Sequence, residues 1–352
     1  MKRIGSSVIL GVALLVTAQY PAVLVMAENI GQARAVEYVS SHRWASTVID
    51  QDGHDRITVH NGDKLIYLTQ DRRDQKPVWS GTGGMLAFFR WQTYEKQGGG
   101  FNMFNAICVA KVDGSGVREL TDYTHANMNP TWTRDGSNQI LFNRIRPKKL
   151  GISIYMTHPD GPKNSEKLVT HPDRDGLLKY EWVESGLKDG RLFIWRVNWF
   201  RALLNFIKPG DIVDDIQTWQ LLDPATHATQ EVSRPHQYPV HKLSVSPSET
   251  RICYMKAVNG NPLKYKGSVI AYAELDLENL VVKNEVLISP DDRSYTDMYP
   301  RWSPDEKHIM YSSSRSGTIQ QYLYSLETKE THLVSVLSPF GDMYPNFEDM
   351  PK

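Results

Sequence analysis

Two cysteines are all that the 352 residues contain. Cys108 and Cys253 can form one bridge or none, so neither a disulfide framework nor a four-cysteine zinc site is available. A charge excess is also lacking. Lys and Arg number 40, Asp and Glu number 40, and the formal net charge is zero. A chain without a basic excess or stripe carries no electrostatic footprint for nucleic acid. Beyond residue 27 no apolar run is long enough to span a bilayer. A Gly-x-Ser-x-Gly elbow, a phosphate-binding loop and a dinucleotide fingerprint are all absent. Those absences argue against a serine hydrolase of the nucleophile-elbow type and against nucleotide-dependent chemistry.

What is present is ordinary globular composition, 40% hydrophobic and 23% charged, with nine Trp and 17 Tyr. Many aromatics among frequent Gly and Pro lean towards β structure. The first 27 residues stand apart: Lys2 and Arg3, an apolar stretch Val8 to Val16, then Val25-Met26-Ala27 with small residues at −3 and −1. This is the layout of a secretory signal peptide. Cleavage is expected after Ala27, with Ala33 or Ala35 as alternatives. Gln19, Tyr20 and Pro21 interrupt the run and argue against an uncleaved span. The expectation is a secreted or periplasmic protein, away from the membrane after cleavage, with residues 28–352 forming one domain.

A phrase then recurs: Pro, any residue, aromatic, Ser or Thr, a turn and a short apolar strand. It reads Pro77-Val78-Trp79-Ser80, Pro130-Thr131-Trp132-Thr133 and Pro300-Arg301-Trp302-Ser303-Pro304-Asp305. Weaker copies centre on Trp182, Val245 and Phe347. Repeats of about 40 to 50 residues, each with several short strands, predict a β-propeller. The aromatic should pack between neighbouring blades, and the Asp-Gly or Pro-Asp turn should close the hairpin. No blade can bury its faces alone, whereas stacking around a ring does so. The fold expected is an all-β propeller of four-stranded blades, seven favoured and six the alternative. Strand-like runs between Ser46 and Thr69 precede the first full anchor, so the last blade should be completed by strands from both termini.

The Pro-x-Trp-Ser-Pro-Asp phrase resembles the repeats of TolB-type propellers. A narrower resemblance is to the propeller polysaccharide lyases, the ulvan and oligogalacturonate lyases. Its carriers are Ile49-Asp50-Gln51-Asp52-Gly53-His54, the loop Tyr123 to Pro130 bearing His125, and Tyr180 followed by Arg196. The resemblance implies His125, Tyr180 and Arg196 as a catalytic group. Where that family places a second His, this chain reads Phe142-Asn143-Arg144, so Asn143 becomes the candidate carboxylate donor.

Residues just before each anchor should converge on a funnel. They include Asn127 and Asn129, Lys179 and Tyr180, His236, Tyr238 and His241, Tyr295, Asp297 and Tyr299, and Asp342 and Tyr344. Asn127, Asn129, Lys179, Asn198, His241 and Tyr299 are the candidate substrate contacts. β-Elimination on a uronic acid needs its carboxylate charge offset, a base for the C5 proton and an acid for the leaving oxygen. Arg196 and His125 would be the cations, and Tyr180 the base and acid. No cofactor is needed for that chemistry. His241 and Cys253, with another His such as His236, suggest three ligands for a structural zinc, one short of tetrahedral. Asp50-Gln51-Asp52-Gly53 begins like a calcium loop but has Asn61 where the twelfth-position Glu belongs.

The expected function is therefore a monomeric, exported polysaccharide lyase acting on an acidic, ulvan-like glycan. The alternative is a non-catalytic TolB-like propeller that binds a protein partner through its central funnel. Convergence of His125, Tyr180 and Arg196 separates the two.

Overall fold

The structure, a computed structural model, describes residues 30–62, 64–69, 73–91, 104–146, 149–170, 179–198, 217–234, 240–257, 267–289, 294–335 and 342–347. Residues 1–27, where a signal peptide is expected, lie outside them. A helix over residues 30–40, α1, opens the described chain. Ala35 and Val39, one turn apart, bury its inner side, while the Tyr38 hydroxyl donates to Asp305 Oδ1 at 2.9 Å. The repeat pattern gave no sign of this helix.

The rest of the described regular structure is β-strand, paired antiparallel apart from a few short parallel contacts. β1 (Arg43–Ile49), β2 (Asp55–Asn61) and β3 (Lys64–Tyr67) come first. The next unit is β4 (Asp74–Trp79), β5 (Met85–Trp91), β6 (Asn105–Lys111) and β7 (Arg118–Glu119). β8 (Ala126–Trp132), β9 (Ile140–Arg146), β10 (Lys149–Thr157) and β11 (Lys167–Leu168) follow. Then come β12 (Lys179–Gly186), β13 (Leu192–Asn198), β14 (Gln217–Leu222) and β15 (Thr229–Val232). β16 (Val240–Val245), β17 (Arg251–Ala257), β18 (Ser268–Asp276) and β19 (Val281–Leu287) form another unit. The last full one is β20 (Asp297–Trp302), β21 (His308–Ser313), β22 (Gln320–Ser325) and β23 (Thr331–Ser335). Finally β24 (Asp342–Phe347) runs antiparallel beside β1 and makes that first sheet four-stranded. Short parallel contacts of β6 with β8 and of β10 with β12 join three of these units into one twelve-stranded sheet, beside three sheets of four. Seven was favoured on a spacing near 46 residues, but the aligned repeats lie mostly more than fifty apart.

Packing follows from sequence patterning. Strands such as Ala106-Ile107-Cys108-Val109-Ala110 are fully buried residue by residue, so both faces of the sheet are covered. Six apolar clusters do the covering, and each joins consecutive units. Phe193 and Trp219 meet Ile252 and Tyr254, and Cys253 and Ile270 meet Trp302 and Tyr322. Val78 and Phe89 meet Trp132 and Phe142, and Leu141 and Ile154 meet Val183 and Ile194. Met310 and Leu323 meet Trp44 and Phe347, while Ile57 and Val59 of the first unit meet Trp79 and Phe88. The leading strands β4, β8, β12, β16, β20 and β24 lie against one another in turn, β24 also against β4.

The anchor aromatics behave as staples. Trp79 Nε1 donates to the Asn346 carbonyl and Trp132 Nε1 to the Val78 carbonyl, both at 3.0 Å. One anchor was misplaced by the sequence reading. Trp132 pairs with Ile140 and Trp302 with Ile309, at the start of the next strand; in β12 the residue so placed is Gly186, opposite Leu192. Trp182 sits four residues earlier. A side chain at 186 has no room, since a Cβ there would lie 3.1 Å from both Trp132 O and Thr133 Cα. Gly186→Ala should therefore destabilise the protein by about 1–3 kcal/mol, read as a lower urea midpoint. Gly81→Ala, where a Cβ meets nothing within 4 Å, should stay within about 0.5 kcal/mol of the parent. Equal midpoints would refute the close contact.

Candidate functional site

Most leading strands break register with the second strand at the same height. The shifts fall between Gln75 and Val78, Met128 and Thr131, Val183 and Ser185, His241 and Ser244, and Met298 and Arg301. β24 shows the corresponding break against β1. A bulge leaves residues unpaired and re-aims their side chains. Here Lys76, Asn129, Lys242, Tyr299 and Tyr344 adopt φ values of 57, 53, 53, 56 and 57°, a left-handed conformation that costs a bulky residue roughly 1–3 kcal/mol. A proline follows all of them except Lys242.

These bulged side chains meet one another. Lys76 Nζ donates to Asn129 Oδ1 at 2.7 Å and Lys242 Nζ to the same oxygen at 3.3 Å. The Lys242 ammonium also lies 5.5 Å from the centre of the Trp182 ring. The Tyr299 and Tyr344 rings pack 4.2 Å apart. Burial, then the Tyr299 phenol beside it, pushes the Tyr344 hydroxyl well above its ordinary pKa. Next to this group is a cavity of about 100 Å³ to which all six leading strands contribute, through Trp79, Thr131, Glu184, Val245, Arg301 and Phe347 among others. Arg134 reaches across from the Trp132 turn and donates to the Ser246 and Pro247 carbonyls at 3.2 and 3.1 Å. A single polar centre gathered from six strands is thus the candidate site.

The expected catalytic group is distributed differently. His125 precedes β8; its carbonyl accepts from Asn105 N–H at 3.1 Å and its Nδ1 lies 2.8 Å from Thr124 Oγ1. Tyr180 is half-buried near the start of β12, and burial raises its pKa. The parallel contacts Asn105 to Ala126 and Ile152 to Tyr180 put His125 and Tyr180 at the same end of their sheets. Arg196 does not join them. It lies opposite Glu181, while Tyr180 lies opposite Val197, so Arg196 and Tyr180 leave opposite faces of one sheet. Its guanidinium bonds Glu181 Oε1 through Nε at 2.9 Å and Nη2 at 2.7 Å, and Gln220 Oε1 at 3.3 Å.

That arrangement is a repeat. Arg90 opposite Asp74 forms two bonds at 2.7 and 2.9 Å. Arg144 opposite Asn127 donates to its Oδ1 at 2.7 Å and reaches Glu166 at 2.6 Å. Asn127 is therefore fully buried and committed within its own unit, its Nδ2 bonding the Asn105 carbonyl at 2.8 Å. Asn143 is also fully buried; its Nδ2 donates to the Glu181 carbonyl at 2.9 Å and ties β9 to β12. Of the expected substrate contacts, Asn129 and Tyr299 belong to the polar centre. Lys179 and Asn198 are paired across β12 and β13, and His241 faces Met255, but their side chains lie outside the described residues, as do His236 and Tyr238.

Both cysteines are free and buried. Cys253 sits in the apolar cluster with Ile270 and Trp302, and burial pushes its thiol up, an environment for a small core residue rather than a zinc ligand. Among the described residues the group spaced for a metal is Asp50, Asp52 and His54. Asp50 already accepts from two backbone N–H groups and from Arg56. Sequence reading missed Lys76 and Lys242. The signal was there: the residue before each repeat proline forms a column of Lys76, Asn129, Tyr299 and Tyr344.

No protein-family model matches the chain, and no curated protein does either. Solved structures are similar in fold. TolB from Acinetobacter baumannii is 12% identical with a TM-score of 0.62, over 88% of this chain and 67% of that one. A putative TolB from Agrobacterium tumefaciens is 12% identical with a TM-score of 0.52, over 88% and 92%. Hydrazine synthase from Kuenenia stuttgartiensis is 13% identical with a TM-score of 0.62, and this chain spans 47% of its length. The chain therefore has the fold of TolB-like β-propellers, and at these identities the likeness extends to fold alone. Among the described residues no helix is long and apolar enough to cross a membrane.

A structural Arg196 makes a distinct forecast. Glu181 is only 6% exposed, so Arg196→Met strands a buried carboxylate and should cost about 3–5 kcal/mol. Pairing it with Glu181→Gln should restore most of that loss in thermal unfolding. No recovery in the double variant would contradict the role.

Proposed function

We propose that this protein is a closed six-bladed propeller, exported and non-catalytic, that binds a partner at its axial polar centre. One observation supports the reading: five leading strands carry strained polar side chains at the same height, and all six line one cavity. The groups a lyase would use are dispersed or committed elsewhere. Arg196 is held by Glu181, Asn143 by the Glu181 carbonyl, and burial moves Tyr180 away from the lowered pKa a phenolic base requires. Six apolar interfaces, with β24 beside β1, support the closed ring. Export rests on the layout of residues 1–27.

The lyase of an ulvan-like uronic-acid glycan is the second reading, favoured by His125 and Tyr180 lying at the same end of adjacent sheets. One assay separates the two. Purified protein incubated with ulvan, pectin, alginate and glycosaminoglycans should give no gain in the near-ultraviolet absorbance of a new C4–C5 double bond. A gain that falls roughly 10²–10⁴-fold in Tyr180→Phe would replace the binding reading with the lyase.

A further inference from the structure

We propose that the axis between Lys76, Lys242 and Arg301 binds an oxyanion, a carboxylate or phosphate group; this rests on the binding reading above and names the chemistry of its ligand. Other interior cations of the chain are paired. Arg90, Arg144, Arg196, Lys256 and Arg315 each meet a carboxylate, at 2.7, 2.6, 2.7, 2.6 and 2.9 Å. Pairing of that kind is the usual condition for placing charge inside a protein. Among the described residues none lies within the 4.0 Å of an ion pair from Lys76, Lys242 or Arg301, although Lys76 is only 6% exposed.

The available acceptors fall short. A lysine ammonium carries three protons, and Lys76 and Lys242 share one neutral acceptor, Asn129 Oδ1. Arg301 donates through Nη1 to the Pro300 carbonyl at 3.2 Å. Glu184 is the acidic group that acts on both Lys76 and Arg301, and its Oε2 already takes Leu243 N–H at 3.1 Å. Burial and the like charges of Lys242 and Arg301 push the Lys76 ammonium well below its ordinary pKa. A divalent cation would add to that repulsion; an anion relieves it. Both lysines are held in left-handed backbone where Gly or Asn would be less strained, so the fold retains lysine there against its conformational preference. The adjoining cavity is lined by Arg301, Arg134 and Glu184, with neither lysine in its wall, so the anion is placed at the lysine pair on its edge.

The test uses the full chain and inorganic phosphate, acetate and chloride at constant ionic strength. Phosphate or acetate should raise the melting temperature with a saturable dependence, and chloride should not. Lys242→Met keeps the stem and should raise the half-saturating concentration at least about tenfold, the loss expected for one charge-assisted hydrogen bond. Arg301→Lys, which keeps the charge, should weaken binding by a smaller factor and serves if Lys242→Met does not fold. Lys163→Met, at a surface pair with Glu119, should change nothing. A response to phosphate alone assigns the site to inorganic oxyanions, and a response to both assigns it to carboxylates as well. A rise that merely tracks ionic strength, or one equal in wild type and Lys242→Met, overturns the anion site. That failure, without unsaturated products from the glycan panel, still leaves partner binding in place.

Discussion

Every four-stranded unit of this protein has two apolar faces, and that constraint sets the rest. A sheet with one wet face can stand beside solvent; a sheet such as β4–β7, with Leu86 and Phe88 on one side and Ala87 and Phe89 on the other, cannot. Burial of such side chains stabilises by about 1.5–3 kcal/mol each, so each unit is stable only between two others. The consequence reaches the axis. Units wedged face to face bring their leading strands together, and the residues those strands cannot pair are pressed onto one centre.

What the strands deliver there is chemically unlike the interfaces. The interfaces hold Val, Ile, Phe and the indole staples, whereas the bulges carry Lys76, Asn129, Lys242, Tyr299 and Tyr344. Just beyond the bulges, at the height of the repeated Arg pairs, charge is neutralised within each unit, as in Asp74 with Arg90 and Glu181 with Arg196. Two neighbouring layers thus treat charge in opposite ways. One compensates it internally and acts as scaffold. The other leaves two ammonium groups on a single amide oxygen, which is the arrangement expected where charge is reserved for something that arrives.

Much of the fold was legible because the propeller repeat is local. The Pro-x-Trp-Ser phrase placed the anchors Trp79, Trp132 and Trp302, and the Pro-Asp turn formed as expected, with Ser303 Oγ donating to Asp305 Oδ1 at 2.6 Å. The failures also have local causes. Trp182 mimicked an anchor, but the residue at that register is Gly186, where a Cβ would crowd the backbone of the Trp132 turn. The site was less legible. Arg196 looked like a stray cation on an apolar strand because its partner, Glu181, lies on the neighbouring strand, and pairing across strands depends on register. Lys76 stands in the column of residues before the repeat prolines and could have been found there, whereas Lys242, followed by Leu243, carries no such signal.

An anion site at this axis differs from a plug in what it holds when an oxyanion is supplied. Crystals of the full chain soaked in selenate would test it directly through the anomalous signal of selenium. The account predicts a peak within hydrogen-bonding distance of both Lys76 Nζ and Lys242 Nζ, with Asn129 Oδ1 released from at least one of them. An axis without such a peak, both lysines still on Asn129 while selenate occupies surface sites, would contradict it.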